Sequence, residues 1–201
     1  MALAALALNC SLKGGISSSS TDKLLDEVLA ALGAKGEIVR VVDLDIKPGV
    51  KADEGEGDEW PSLCQKIMAA DILIFGTPIW LGQPSSVAKR VLERMDSFLY
   101  DTDKKDRMPS FGKVAVVAIV GNEDGAHHCH AEIFQALNDV GFTIAACAGT
   151  YWVGEAMGST NYKDLRKPFD ETVKATKMLA ANAAHLVKLL KASPYPGTTA
   201  G

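Results

Sequence analysis

Asp71-Ile72-Leu73-Ile74-Phe75-Gly76-Thr77-Pro78 is an apolar run closed by a turn-forming pair. A strand with one wet face alternates apolar and polar residues, whereas a strand buried on both faces reads as a continuous apolar run. Asp71 to Gly76 is therefore expected to be an interior strand of a parallel sheet, ending at Thr77-Pro78. Outward from it, further strand-length runs stand at Leu3 to Leu8, Glu37 to Leu44, Val114 to Val120 and Phe142 to Val153. Stretches of helical period separate them.

Leu24, Leu25, Val28, Leu29 and Leu32 recur at helical spacing, with Gly33 and Gly36 able to end the helix. Trp60 to Ala70 reads as a short helix. Pro84-Ser85-Ser86 opens another, with Val87, Val91, Leu92, Met95 and Phe98 on one face. Ile133, Leu137 and Val140 mark a helix closed by Gly141, and Phe169, Val173, Leu179, Ala183, Leu186 and Leu190 the inward face of a long last one. Lys47 to Glu59 and Asp101 to Ser110 carry no apolar period and read as solvated connections. Ser193 to Gly201 is expected to fray. Five strands, each followed by a helix, make an α/β doubly wound parallel sheet with helices on both faces, a single domain over residues 1–192 and a flexible tail over 193–201.

With 201 residues and 47% hydrophobic content, the chain can bury a large core without disulfides. Its 25 acidic and 21 basic residues are intermixed, giving a net charge of -4 and no basic stripe for nucleic acid. No segment reaches the roughly 18 apolar residues of a membrane span. Cys10, Cys64, Cys129 and Cys147 are scattered, without a C-x-x-C pair, so reduced thiols in a cytoplasmic protein are expected.

In open parallel sheets the ligand lies beyond the carboxyl ends of the strands, where strand order reverses. Three loops converge there. Ser11 to Thr21 offers hydroxyls at Ser11, Ser17, Ser18, Ser19, Ser20 and Thr21, small Gly14 and Gly15, and a helix start, which together suit a terminal monophosphate. It has neither G-x-x-x-x-G-K-[ST] nor G-x-G-x-x-G, which disfavours a nucleoside triphosphatase or a standard dinucleotide fold. A flexible loop with a plain helix cap would use the same residues. Thr77 to Ser86 brings Pro78, Ile79, Trp80, Leu81 and Gly82 to the same end. Ile79 and Trp80 suit an isoalloxazine ring and the amides of Trp80 to Gly82 its polar edge, although Trp80 alone is equally at home in a core or a dimer interface. Gly121, Asn122 and Gly125 form the third loop, beside Glu123 and Asp124; an acidic turn capping the next helix accounts for them equally well.

His127-His128-Cys129-His130 invites a metal, but consecutive helical residues diverge and only His127 and His130 share a face, so none is expected. Cys10 reads as a small buried thiol. Tyr151, Trp152 and Glu155 follow the fifth strand and are expected to enclose the cleft or a partner subunit's cleft, although the Tyr/Trp pair is equally at home in packing.

Taken together, the loops resemble those of the flavodoxin-like NAD(P)H-dependent FMN reductases and quinone reductases. The resemblance runs from Leu3 to about Leu190, is carried by Asp71 to Trp80, Pro84 to Lys89 and Leu92 to Asp96, and includes Cys10-Ser11-Leu12-Lys13 and Ser20-Thr21 as a phosphate loop without its leading glycine. It implies strand order 2-1-3-4-5 and bound FMN held by Ser11, Ser19, Ser20, Thr21, Pro78, Ile79, Trp80, Leu81, Gly82, Gly121, Asn122 and Gly125. It also implies NAD(P)H as co-substrate, hydride passed through the flavin to a quinone, free flavin or similar small acceptor, and a homodimer or homotetramer. No catalytic side chain is expected, since the cofactor carries the chemistry. A flavodoxin-like electron carrier docking on another protein is the alternative, although such carriers tend to be more acidic.

Overall fold

A computed structural model of the chain describes residues 3–155 and 157–198. A parallel sheet runs in the order β2-β1-β3-β5-β6, made by β1 (Ala4–Asn9), β2 (Lys35–Arg40), β3 (Ile72–Trp80), β5 (Val114–Gly121) and β6 (Thr143–Val153). A short β4 (Gln83–Pro84) folds back antiparallel onto the end of β3. The expected α/β doubly wound architecture and its strand order are both present, with β4 as an addition.

Period-two alternation explains the apolar strands. Leu6, Leu8, Leu73, Phe75, Val117 and Ile119 point into one core with α2 (Trp60–Ala69), α3 (Ser86–Met95) and α4 (Ala126–Asp139). Ala5, Ala7, Ile72, Ile74, Val116 and Val120 point into the other with α1 (Ser20–Leu32) and α5 (Asp170–Ala192). Gly33 closes α1 in the left-handed conformation.

Several boundaries differ from expectation, each for a reason in the pairing. β2 stops at Arg40, where its partner β1 ends at Asn9, and Val41–Asp43 turn into a 3-10 helix in place of the expected strand. β3 runs past Gly76 because Thr77 and Pro78 pair with Ile119 and Val120 of β5. Proline is tolerated there because β1 has already ended opposite Gly76, which leaves that flank without a ladder. Pro84 belongs to β4, and Ser85 caps α3 by accepting from the Ala88 amide at 3.1 Å. Phe169 precedes α5 and is 54% exposed. Thr172 and Thr176 face inward, Thr172 bonding the Tyr151 carbonyl at 2.9 Å and Thr176 the Thr150 hydroxyl at 2.9 Å.

The connection after β2 is anchored rather than wholly solvated. Arg94 and Asp58, whose side chains are both fully buried, pair at 2.8 Å, and Arg94 also donates to the carbonyls of Lys47 and Lys51. Burial opposes charge on Asp58, but donors from Glu54, Arg94, Trp60 and Lys47 outweigh it and hold the carboxyl down at about 2. The C-terminal stretch is likewise seated as far as Thr198: Tyr195 packs edge-on against Phe111, its hydroxyl meets Thr143 at 3.0 Å, and the Thr198 amide donates to Lys105. The remaining tail residues lie outside the described ones.

Candidate functional site

Asn9, the buried last residue of β1, organises the loop that follows. Its side-chain carbonyl accepts from the Ser11 amide at 2.8 Å, and its amide donates to Ser19 Oγ at 3.2 Å and to the Asp22 carboxylate. Ser19 caps α1 in a reciprocal box. Its hydroxyl accepts from the Asp22 amide at 3.0 Å, and its own amide donates to the Asp22 carboxylate at 3.1 Å. From the neighbouring strand, Arg40 donates to the carbonyls of Lys13 and Ser17, and Asp43 accepts from the Gly15 amide at 2.8 Å.

This loop forms one end of a cleft of about 240 Å³. Ser11, Leu12, Lys13, Ser19, Ser20 and Thr21 line that end; Pro78, Ile79 and Trp80 come from β3, Val120, Gly121 and Asn122 from β5, and Trp152, Asn161 and Tyr162 from beyond. Gly121 is required by close approach, because a Cβ there would stand 2.9 Å from Ile79 Cβ.

Two features suit a phosphate. The Ser11 hydroxyl is buried without a hydrogen-bond partner among the described residues, a condition native structures rarely leave unanswered. The Ser20 and Thr21 amides open the first turn of α1, where the helix dipole favours an anion. Ser19 lines the same space, but its hydroxyl and amide are both engaged by the cap.

The twelve expected contacts therefore divide. Ser11, Ser19, Ser20, Thr21, Pro78, Ile79, Trp80, Gly121 and Asn122 gather on the cleft, while Leu81, Gly82 and Gly125 do not line it. These three form a brace between loops: Leu81 donates its amide to Glu123 at 3.0 Å, and a Cβ on Gly125 would stand 2.7 Å from Gly82 Cα. Ile79 is a core side chain that offers the cleft little beyond its backbone, whereas Trp80 is 52% exposed.

Asn161 and Tyr162 were not expected from sequence, and the only signal for them is a lone tyrosine in a polar connection. The Tyr162 ring is buried against Trp152 at 5.5 Å between centroids, with the Lys23 ammonium 5.0 Å from its centre. Burial and the Glu27 carboxylate at its hydroxyl push its pKa up. The Lys163 amide donates to Ser20 Oγ at 3.2 Å, tying this segment to the start of α1.

The histidines diverge. His127 meets the Tyr151 hydroxyl at 3.2 Å, His128 pairs with Glu132, and His130 turns inward to the Ala126 carbonyl at 2.9 Å. No grouping suited to a metal ion occurs among the described residues. Burial pushes the Cys10 thiol up and, with nearby Glu132, raises that of Cys129 to about 11, so neither is activated. Among the described residues, no helix is long and apolar enough to cross a membrane.

The family model for NADPH-dependent FMN reductases matches residues 3–157, a span that contains all three loops. The chain belongs to that family. Its members are flavin-dependent oxidoreductases, and the cleft lies where the fold places the flavin. The chain is 36% identical, over 97% of its length and 81% of the relative's, to 8-demethyl-8-aminoriboflavin-5'-phosphate synthase of Streptomyces davaonensis. It is also 34% identical to a Mycobacterium bovis protein named divalent metal cation transporter MntH, over 98% of this chain but 30% of that protein. Among solved structures, RosB with bound 8-demethyl-8-formylriboflavin-5'-phosphate superposes with a TM-score of 0.87 at 34% identity, covering 97% of this chain and 82% of that one. An NADH:FMN oxidoreductase, EMOB in its apo form, shares the fold at TM-score 0.62 and 17% identity, over 98% and 94% of the two chains.

Proposed function

We propose that the cleft holds FMN with its phosphate at the start of α1, and that the chain passes hydride from NAD(P)H through the flavin to a quinone, free flavin or similar acceptor. The observation that carries this is the buried, unpartnered Ser11 hydroxyl beside the open Ser20 and Thr21 amides, at the polar end of a cleft otherwise walled by Pro78, Trp80, Val120 and Trp152. FMN, when bound, supplies the redox chemistry of its isoalloxazine ring. Ser11, Ser20 and Thr21 donate to the phosphate, with Lys13 adding positive charge at the rim. Gly121 and Asn122 admit close backbone approach, and Trp80 and Trp152 exclude water from the ring. A single FMN-binding unit over residues 1–192, in a cytoplasmic homodimer or homotetramer, completes the reading.

Purified protein is expected to be yellow or to turn yellow on titration with FMN, and to oxidise NADH or NADPH when a quinone is supplied. A colourless protein that takes up no FMN rules the reading out.

A second reading has one specific observation in its favour: identity with the 8-demethyl-8-aminoriboflavin-5'-phosphate synthase is 36%, about twice the 17% shared with EMOB. On that reading FMN is a substrate altered on its ring, held by the same phosphate end. Mass spectrometry of flavin released after turnover separates the two, since an unchanged flavin mass supports the reductase and an altered one the synthase-like enzyme.

A further inference from the structure

The helix start read above as the phosphate site already carries an anion. Asp22 is the third residue of α1, and its carboxylate is folded back on the first turn, where the Ser19 amide and hydroxyl both donate to it. A phosphate gathered by the Ser20 and Thr21 amides lies within about one helical turn of that carboxylate, and like charges so close repel each other.

Arg40 answers this charge. It is the last residue of β2, with its side chain only 17% exposed, and one terminal nitrogen pairs with Asp22. The other donates to the Lys13 carbonyl at 2.9 Å and the Ser17 carbonyl at 2.7 Å. One planar guanidinium thus joins both limbs of the β1–α1 loop to the first turn of α1, which the point charge of a lysine does poorly. It also occupies two carbonyl oxygens, which would repel an incoming anion if they turned toward it. Arg40 is absent from the residues lining the cleft.

We propose that Arg40 is a positioning residue for the flavin phosphate: by neutralising Asp22 and holding the Lys13 and Ser17 carbonyls, it leaves the β1–α1 loop presenting donors to the phosphate, without touching the phosphate itself. The proposal rests on the FMN reading above. It predicts an effect specific to the phosphate, whereas a merely structural role for Arg40 affects the ring and the phosphate together.

The test is titration of the flavin-free chain with FMN and with riboflavin, read by flavin fluorescence, for wild type, R40M, R40K, D22N and the D22N/R40M double variant, with circular dichroism to confirm folding. R40M is expected to weaken FMN by about tenfold, equivalent to ~1.4 kcal/mol, and riboflavin by less than about twofold. R40K falls between. D22N/R40M recovers part of the lost FMN affinity because the repelling carboxylate is gone. If R40M does not fold, R40K and the double variant carry the same comparison of FMN with riboflavin. Equal weakening of FMN and riboflavin, or no weakening of either, overturns the positioning role and leaves the FMN site standing. A wild-type chain that binds neither flavin overturns the FMN reading and the role of Arg40 with it.

Discussion

The β1–α1 loop and the β3–β4 hairpin flank one cleft but are held in different ways. The first is fixed by side chains reaching its backbone: Asn9 on Ser11, Arg40 on Lys13 and Ser17, Asp43 on Gly15. The second has fewer such tethers, Glu123 on the Leu81 amide and Thr77 on the Ser85 amide, and depends more on backbone shape. Leu81 and Gly82 turn with φ of 52° and 75°, and Gly125 of the third loop packs on that turn with φ of 119°. Behind Gly125 stands α4, whose His130 is wedged beside Gly149 of β6. A loop that must stay open for a charged group gains from polar tethers, which satisfy its amides and still leave donors at the cleft. On the proposed reading the hairpin meets the flat face of a ring, which asks for few polar groups, so glycines and tight contact shape it instead.

Breaking the polar side is expected to give the largest effect. Asn9→Leu strands the Ser11 amide and one side of the Asp22 carboxylate, and should lower stability by about 4 kcal/mol in urea unfolding; a loss below about 1 kcal/mol means the tethers are not what holds this loop.

Acid should act on the other side. Burial, only partly offset by the Ala126 and Val117 carbonyls, depresses His130 to about 4 from an ordinary 6.5. Between those values the unfolded chain binds the proton and the folded one does not, so stability present above pH 6.5 declines as the pH falls through 4, by about 3 kcal/mol in all. His130→Gln should flatten that part of the stability profile. Hydrogen exchange should show α4 and the hairpin loosening before the β1–α1 loop, and simultaneous loosening would erase the contrast.

Gly125→Ala places a methyl 2.7 Å from Gly82 Cα, and should cost about 2 kcal/mol in stability and weaken FMN more than Leu81→Gly does. Leu81→Gly is the smallest change. Leu81 is 90% exposed with φ of 52°, so glycine relieves the left-handed strain and should raise Tm by about 1–2 °C in calorimetry. A fall in Tm would mean that the leucine side chain has a partner of its own.

Much of the site was legible because hydroxyls, glycines and a proline pair at strand ends report backbone needs locally. Ser11, Pro78, Trp80, Gly121 and Asn122 reach the cleft because each lies at or just beyond the end of a strand whose apolar run is plain, and Ser20 and Thr21 reach it because they open α1. Leu81, Gly82 and Gly125 lie outside the cleft lining because two strand-end loops can pack on each other as readily as on a ligand. Phe169, expected on the inward face of the last helix, lies outside the core because hydropathy alone cannot see Thr172 and Thr176 satisfying their hydroxyls on β6.

The sequence by itself determined the layers: continuous apolar strands force burial on both faces, and helical-period stretches between them supply the cover. It determined also that a small polar loop opens α1. Only the tertiary structure decided how far each strand runs, since a ladder lasts only as long as its neighbour, and which distant groups complete the cleft. Arg40 lies 18 residues beyond Asp22 and Lys163 143 beyond Ser20, and each finds its partner only when the sheet sets their elements side by side. Periodicity reports the environment of a residue along its own element. The partner of a charge is a property of the neighbouring element, and no local pattern records it.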